Sequence, residues 1–304
     1  MTTRTYPTRA DWLAARRLGL GASDSAALFG ESPWQSPLAL YAEKRGLSGS
    51  DERDAPEYVK WGLKLEPAIA QAFEEDTGRR VIDVPAFTIE RDASLPFLCA
   101  TLDRRQARFA DESLLAPQIG VLELKTTNRF MRRDWDDGVP LHYQIQVQHQ
   151  LAVTGEAFAS VAVLIAGAEF LWVDVPRHEA FIDELRRRCA EFWARVEAGD
   201  PPPVDASQAT RDALHRMYPS EAVPEMISLS PDLAQWDEAR VAGKAAVKTA
   251  NEQILLAEAH IKAAIGEHAG GIIPGGAAYT WRLQQKKAYA VAASASRVLR
   301  RKGD

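Results

Sequence analysis

The stretch that most limits what this chain can become is Gly120-Val121-Leu122-Glu123-Leu124-Lys125. Side chains of an extended segment alternate between two faces. As a strand, this stretch puts Leu122 and Leu124 on one face and Glu123 and Lys125 on the other. The first face must be covered by apolar neighbours, and the second sets a carboxylate beside an ammonium. A second carboxylate from a neighbouring strand, which Asp103 can supply, would complete an oxygen-rich site for a hard divalent cation. Mg²⁺ favours one or two carboxylates, with water and a substrate phosphate filling the remaining positions. Standing alone, Glu-x-Lys is most often a surface ion pair of small worth, so the rest of the chain must supply the case.

The 304 residues, 46% hydrophobic and 26% charged, suit one large globular domain with an extension, or two domains. A formal net charge of −5 excludes a uniformly basic nucleic-acid binder, so any DNA contact must rest on local basic patches. Cys99 and Cys189 are far apart and outside any CxxC pattern. They point to a reducing compartment and away from a zinc or iron–sulfur centre. No apolar run approaches the ~20 residues of a membrane span, and the polar start Met-Thr-Thr-Arg-Thr-Tyr-Pro lacks the apolar core of a signal peptide. The expectation is a cytoplasmic protein that does not enter membranes.

Taken in order, Asp11 to Leu18 reads as a short helix with Asp11 near its cap. Gly19-Leu20-Gly21-Ala22-Ser23-Asp24 follows, and Ser23 or Asp24 can cap a helix from Ser25 to Phe29. A helix start with a hydroxyl, seven residues after an arginine, can cradle a phosphate, although plain capping explains the same pattern. Leu38 to Arg45 is helical, and Ser48 to Pro56 is a polar loop. Glu57 to Thr77 is a long helical pattern with Trp61, Leu65, Ile69, Ala72 and Phe73 on one stripe. Gly62 and Pro67 interrupt it, so the regular helix is expected to begin near Glu66, with Pro67 at its first position.

Val81 to Val84, Phe87 to Glu90 and Leu98 to Arg104 read as strands, the last carrying Asp103. Ala107 to Gln118 is a loop, and Ile119 to Thr126 is the Glu-x-Lys strand. Three arginines in Arg129 to Trp135 could follow a phosphate backbone, with Phe130 or Trp135 stacking on bases. Pro140 to Thr154 alternates Gln144, Gln146, Gln148 and Gln150 with apolar residues, a strand-like pattern, yet its length and flanking Pro and Gly favour a helix. Buried glutamines need partners, so at least one amide is expected at a ligand or at the site.

Phe158 to Ala166 and Glu169 to Val175 form a hairpin, and Arg177 to Ala198 an amphipathic helix. Asp200-Pro201-Pro202-Pro203 marks the expected boundary between a domain over 1–200 and an extension over 204–304. The extension holds a short helix at Ser207 to Tyr218, a long one within Asp232 to His268, and a glycine-punctuated hairpin from Ile272 to Leu283. A basic tail, Arg297 to Lys302, closes it. Nothing in it carries recognisable chemistry.

With these pieces in place, the chain resembles the YqaJ-type viral recombinase family of exonucleases, the lambda exonuclease family. The matching blocks are Arg16 to Asp24, Trp61 to Pro67, Thr101 to Asp103, Leu122 to Lys125 and Tyr143 to Leu151, within the first two-thirds of the chain. The resemblance implies an α/β fold of the restriction-endonuclease type, with a central mixed sheet flanked by helices. It also implies that Asp103, Glu123 and the Leu124 carbonyl hold Mg²⁺, for which Mn²⁺ can substitute. Glu66 would be a further acidic site residue, and Lys125 would orient the attacking water or help deprotonate it. Gln146 would sit near the site with Tyr143 beside it. Arg16 and Ser23, with Thr101, would hold a terminal 5′-phosphate; adjacent Arg17 competes with Arg16 for that role.

The activity implied is a 5′-to-3′ exonuclease acting on double-stranded DNA ends in phage or prophage recombination. It would leave a 3′ overhang for a phage single-strand annealing protein, and the family's relatives form ring-shaped trimers. Two alternatives stay open from sequence: another nuclease of this fold, either an endonuclease or a CRISPR-associated exonuclease, and a non-catalytic DNA-end-binding scaffold.

Overall fold

The Phe158–Ile165 strand, Phe-Ala-Ser-Val-Ala-Val-Leu-Ile, is buried along almost its whole length. A strand apolar on both faces belongs in the middle of a sheet with helices on either side, and the architecture follows from that. The computed structural model describes residues 1–47, 57–108, 116–288, 290, 293 and 296–301. The expected Ser48 to Pro56 loop, most of the loop from Ala107 to Gln118 and Lys302 of the tail lie outside those residues.

The chain opens with β1 (Thr2–Thr5) and α1 (Arg9–Arg17), then a 3-10 turn over Ala22–Asp24 that runs into the single turn α2 (Ser25–Leu28). Next come α3 (Pro37–Lys44), α4 (Glu57–Thr77), β2 (Arg80–Asp83), β3 (Thr88–Arg91), β4 (Cys99–Ala100), β5 (Arg104–Arg108) and β6 (Gln118–Thr127). A 3-10 segment, Arg129–Trp135, leads to α5 (Leu141–Thr154), β7 (Phe158–Ile165), β8 (Glu169–Pro176), α6 (Glu179–Ala198) and α7 (Gln208–Met217). The chain ends with α8 (Ala234–Ile265), β9 (Gly270–Ile272) and β10 (Ala278–Thr280).

The main sheet has the order β2-β5-β6-β7-β8. Strands β6 and β7 run parallel, joined through α5, and every other neighbouring pair is antiparallel. This is the mixed α/β sheet that the sequence led one to expect. The two faces of β6 divide as its alternation requires: Leu122 and Leu124 pack with Ile69, Ala70 and Phe73 of α4. Val121 lies in the larger core with Ile145 and Leu151 of α5 and Ile182 and Leu185 of α6. Glu123 and Lys125 therefore face α5. Gly120 allows β6 to pass the Phe158 ring, because a Cβ there would sit 2.6 Å from Phe158 Cζ.

Several elements depart from the sequence reading. The cap of α1 is Thr8, whose hydroxyl oxygen accepts from the Asp11 N–H at 3.2 Å; Asp11 lies in the first turn. Helix α4 runs unbroken through Pro67. Proline removes the hydrogen bond to the residue four back, but that residue, Leu63, is exposed, so water can serve its carbonyl. Trp61 does not join the apolar stripe: it is 56% exposed, whereas Ile69 and Phe73 are buried. Leu98 to Arg104 is not one strand. Cys99–Ala100 pairs with β3 in a small sheet with β1, and the chain then crosses to the main sheet at Arg104. Asp103 is the last residue of that crossing.

The described residues separate into two compact units, Met1–Pro219 and Ser220–Asp304. The first runs past the prolines at 201–203 because α7 packs on α3. Thr210 and Ala213 are buried, and the Thr210 hydroxyl donates to Ser36 Oγ at 2.7 Å. In the second unit α8 spans 32 residues, and β9 pairs with β10 in the hairpin expected near the glycines. No helix among the described residues is long and apolar enough to cross a membrane.

Candidate active site

Strand β5 accompanies β6 only as far as Arg104 opposite Leu122. Two residues further along, the Leu124 N–H points past the end of β5 and donates to Asp103 Oδ2 at 2.9 Å. The N–H and C=O of one strand residue point to the same side, so the Leu124 carbonyl faces the gap that Asp103 occupies. The break between β4 and β5 thus creates the place where a carboxylate meets the Glu-x-Lys backbone.

Glu123 is 3% exposed, and three side chains hold it. Lys125 Nζ donates to Glu123 Oε1 at 2.6 Å, and Gln146 Nε2 to the same oxygen at 2.6 Å. Gln150 Nε2 donates to Glu123 Oε2 at 2.6 Å. Lys125 Nζ also donates to Gln146 Oε1 at 3.2 Å and lies 4.7 Å from the centre of the Tyr143 ring. Residues four apart share a helix face, which is why Gln146 and Gln150 of α5 reach one carboxylate together. The other two glutamines serve the framework: Gln144 donates to the Val139 carbonyl at 2.6 Å, and Gln148 to the Pro176 carbonyl at 2.7 Å.

Glu66, on α4, is 3.9 Å from Arg104, which also pairs with Asp83 at 2.9 Å. Burial raises the Glu66 pKa; Arg104 opposes this, and the Glu123 charge adds to it. Burial, reinforced by Glu123, holds the Asp103 pKa well above its ordinary value, with Lys125 working against both. Burial would strip Lys125 of its proton, but Glu123 and Asp103 outweigh that and raise its pKa. Three carboxyl groups therefore share this region with the Lys125 ammonium and the Arg104 guanidinium, and burial disfavours the charged forms of Glu66 and Asp103.

Among the described residues, no three His, Cys, Asp or Glu side chains are grouped for an all-protein metal cage. Asp103, Glu123 and the Leu124 carbonyl instead fit a hard cation that keeps water or takes phosphate oxygens for its other positions.

A cleft of about 820 Å³ adjoins the cluster and is lined by Lys125, Gln146, Tyr143, Ser23, Trp34 and Trp61, among others. Ser23 is thus on the same wall system as Lys125. Arg16 and Thr101 do not line the cleft. The Arg16 guanidinium lies over the Trp12 ring at 4.8 Å and its Nη2 is 3.4 Å from where a Cβ on Gly21 would stand. Thr101 is half-buried, and Arg17 is exposed. Of the stacking candidates, Trp135 is 6% exposed and belongs to the core, while Phe130 is 93% exposed. Arg132 is already engaged by Glu169 at 2.8 Å and Asp136 at 2.7 Å. Sequence reasoning gave Gln150 no role; its spacing of four from Gln146 was the available signal.

This sheet and its flanking helices have the fold of an alkaline exonuclease. The crystal structure of LHK-Exo from Laribacter hongkongensis matches with a TM-score of 0.50 at 22% identity, over 63% of this chain and 94% of that one. The structure of LHK-Exo in complex with dAMP matches at 21% identity, with the same TM-score of 0.50 and the same coverage. Residues 11–157 match the model of the YqaJ-like viral recombinase domain. The YqaJ protein of Bacillus subtilis (strain 168) is 33% identical over 215 residues, which is 69% of this chain and 64% of that protein, less than two-thirds of its length. The chain carries a domain of the YqaJ-like viral recombinase family.

Proposed function

We propose that this domain is a metal-dependent deoxyribonuclease that degrades duplex DNA from 5′-phosphorylated ends and leaves 3′ overhangs in phage or prophage recombination. The observation that carries the reading is the Glu123–Lys125–Gln146 cluster beside Asp103, set at the wall of a cleft. Asp103, Glu123 and the Leu124 carbonyl would hold Mg²⁺. Bound there, the ion would polarise the scissile phosphate and lower the pKa of the attacking water.

The Glu123 and Asp103 charges favour the ammonium form of Lys125. Lys125 would orient the attacking water or help deprotonate it, and would place positive charge where the phosphate gains negative charge. Gln146 accepts from Lys125 while donating to Glu123, and so sets the direction in which the ammonium points. Glu66 adds a further carboxyl from the α4 side. Arg16, Ser23 and Thr101 are assigned to the terminal 5′-phosphate. Ser23 on the cleft wall supports that assignment most directly.

The same reading makes DNA backbone and ends, rather than bases, the recognised features. A ring-shaped homotrimer and an annealing-protein partner complete it. The test is a linear duplex labelled at one end, with a 5′-phosphate or a 5′-hydroxyl, beside a closed circular duplex. Nucleotide release from the linear DNA only with Mg²⁺, faster from the phosphorylated end, is expected. Equal attack on the circle would overturn the exonuclease assignment, and no hydrolysis with any divalent ion would overturn the enzyme reading.

A further inference from the structure

Gln150 is 0% exposed, yet it is a polar residue in the apolar layer between α5 and the sheet. Its Nε2 donates to Glu123 Oε2 at 2.6 Å, and its Oε1 is buried with no hydrogen-bond partner. An unmet acceptor in the interior costs stability, so packing alone favours an apolar residue of the same volume. The Glu123 contact accounts for the amide. It also fixes which way the amide faces, because a flipped Gln150 would turn its carbonyl onto the carboxylate.

The two oxygens of Glu123 are held differently. Oε1 is shared by Lys125 and Gln146, both half-buried and both lining the cleft. Oε2 is held by Gln150, which has no access to solvent. Lys125 and Gln146 have room to yield Oε1 to an incoming cation, and Gln150 has none to yield Oε2. Gln148, two residues earlier on α5, is a built-in comparison. It is also buried and donates to the Pro176 carbonyl at 2.7 Å, while its own oxygen accepts from the His178 N–H at 3.0 Å. One buried glutamine joins helix to strand, and the other touches the site.

We propose that Gln150 is a positioning residue: it clamps Glu123 by Oε2 so that Oε1 is presented to the divalent ion. The inference rests on the reading of Asp103 and Glu123 as ion ligands. Groups that orient a metal ligand from behind typically change affinity or activity by about 10–100-fold when removed.

The experiment measures Mn²⁺ binding to the full chain by electron paramagnetic resonance, without DNA, for wild type, Gln150→Met, Gln150→Asn and Gln148→Met. Thermal midpoints in chelator are recorded alongside. Met keeps the volume without the donor, and Asn keeps an amide but withdraws it by one methylene. Both Gln150 variants are expected to bind Mn²⁺ about tenfold or more weakly, with Gln148→Met close to wild type whatever its midpoint. The DNA-hydrolysis rate of the Gln150 variants should recover as the ion concentration rises. If Gln150→Met misfolds, Gln150→Asn decides alone. Wild-type affinity in the Gln150 variants, or an equal loss in Gln148→Met, would overturn the clamp. Absence of Mn²⁺ binding by the wild type would overturn the ion-site reading on which the clamp stands, so the two failures are distinguishable.

Discussion

At the scale of single residues, the site joins two kinds of group: those that would touch the ion or phosphate, and those that hold the first kind in place. Asp103→Asn removes a ligand charge while keeping the oxygen that accepts from Leu124 N–H. It should abolish nucleotide release while a filter-binding or gel-shift assay still detects DNA. Lys125→Met should lower the rate by roughly 100-fold or more, the scale for losing one donor to developing charge, and leave DNA affinity within a few-fold. Full activity in either variant would remove the residue from its role.

A second residue-scale prediction concerns His149, whose ring bonds to Ser25 and to the Cys99 carbonyl. Its Nε2–H donates to the Cys99 carbonyl at 3.0 Å, so its Nδ1 is the acceptor for the Ser25 hydroxyl at 2.5 Å. Burial lowers its pKa from 6.5 to about 4, against the pull of Asp24 and Asp92. The unfolded chain therefore binds a proton that the folded chain refuses between those two values. Stability must fall as pH drops through that window, by roughly 3 kcal/mol from this one group. The raised pKa values of Glu66, Asp103 and Glu156 act in the opposite direction over part of the range. The readout is accordingly the difference between wild type and His149→Gln in urea midpoint against pH. That difference should change across pH 6.5 to 4 and be flat above it.

What the sequence showed at this scale follows from periodicity. Period two placed Glu123 and Lys125 on one face of β6, and that face is where they lie. Asp103 was recognisable as a partner but not as the end of a crossing between sheets, because nothing local marks where β4 leaves one sheet for another. Gln150 was masked by its neighbours. Four glutamines alternating with apolar residues suggest a strand-like row, and only the helix makes Gln146 and Gln150 a pair.

At the scale of elements, one tight constraint lies where β6 passes β7. A Cβ on Gly120 would come within 2.6–2.8 Å of three Phe158 ring atoms, and Phe158 is 2% exposed. The Arg108 guanidinium also lies over that ring, 3.5 Å from its centre, so displacing the ring disturbs that contact too. Gly120→Ala should destabilise the protein by about 1–3 kcal/mol, the usual scale for overpacking, read as a lower denaturant midpoint at unchanged slope. A neutral result would mean that the ring repacks freely. Helix α4 teaches the complementary lesson. Its proline suggested a late start, yet the helix persists because the lost bond falls on the exposed side. Trp61 was then free to line the cleft rather than the core. Propensity signals located elements well and their solvent-facing details poorly.

At the scale of the whole molecule, the prolines at 201–203 promised a boundary that the contacts move to Pro219, because Thr210 and Ala213 of α7 complete the first unit. Composition could not reveal this, since a proline-rich turn breaks a helix whether or not the chain beyond it packs back. The resemblance grouped Arg16, Ser23 and Thr101, whereas only Ser23 shares the cleft with Lys125.

Glu123 already receives three hydrogen bonds, so its architecture satisfies the carboxylate before any ion arrives. Small zinc domains are unfolded without their metal; here the ion would be a late cargo, loaded into a finished pocket. Exhaustive chelation should leave the melting temperature within a few degrees of its value in millimolar Mg²⁺, because a weakly held ion adds only RT ln(1 + [L]/Kd) to stability. A collapse of the fold in chelator would show the opposite order of events. The protein should therefore survive purification and storage empty and be switched on by adding salt.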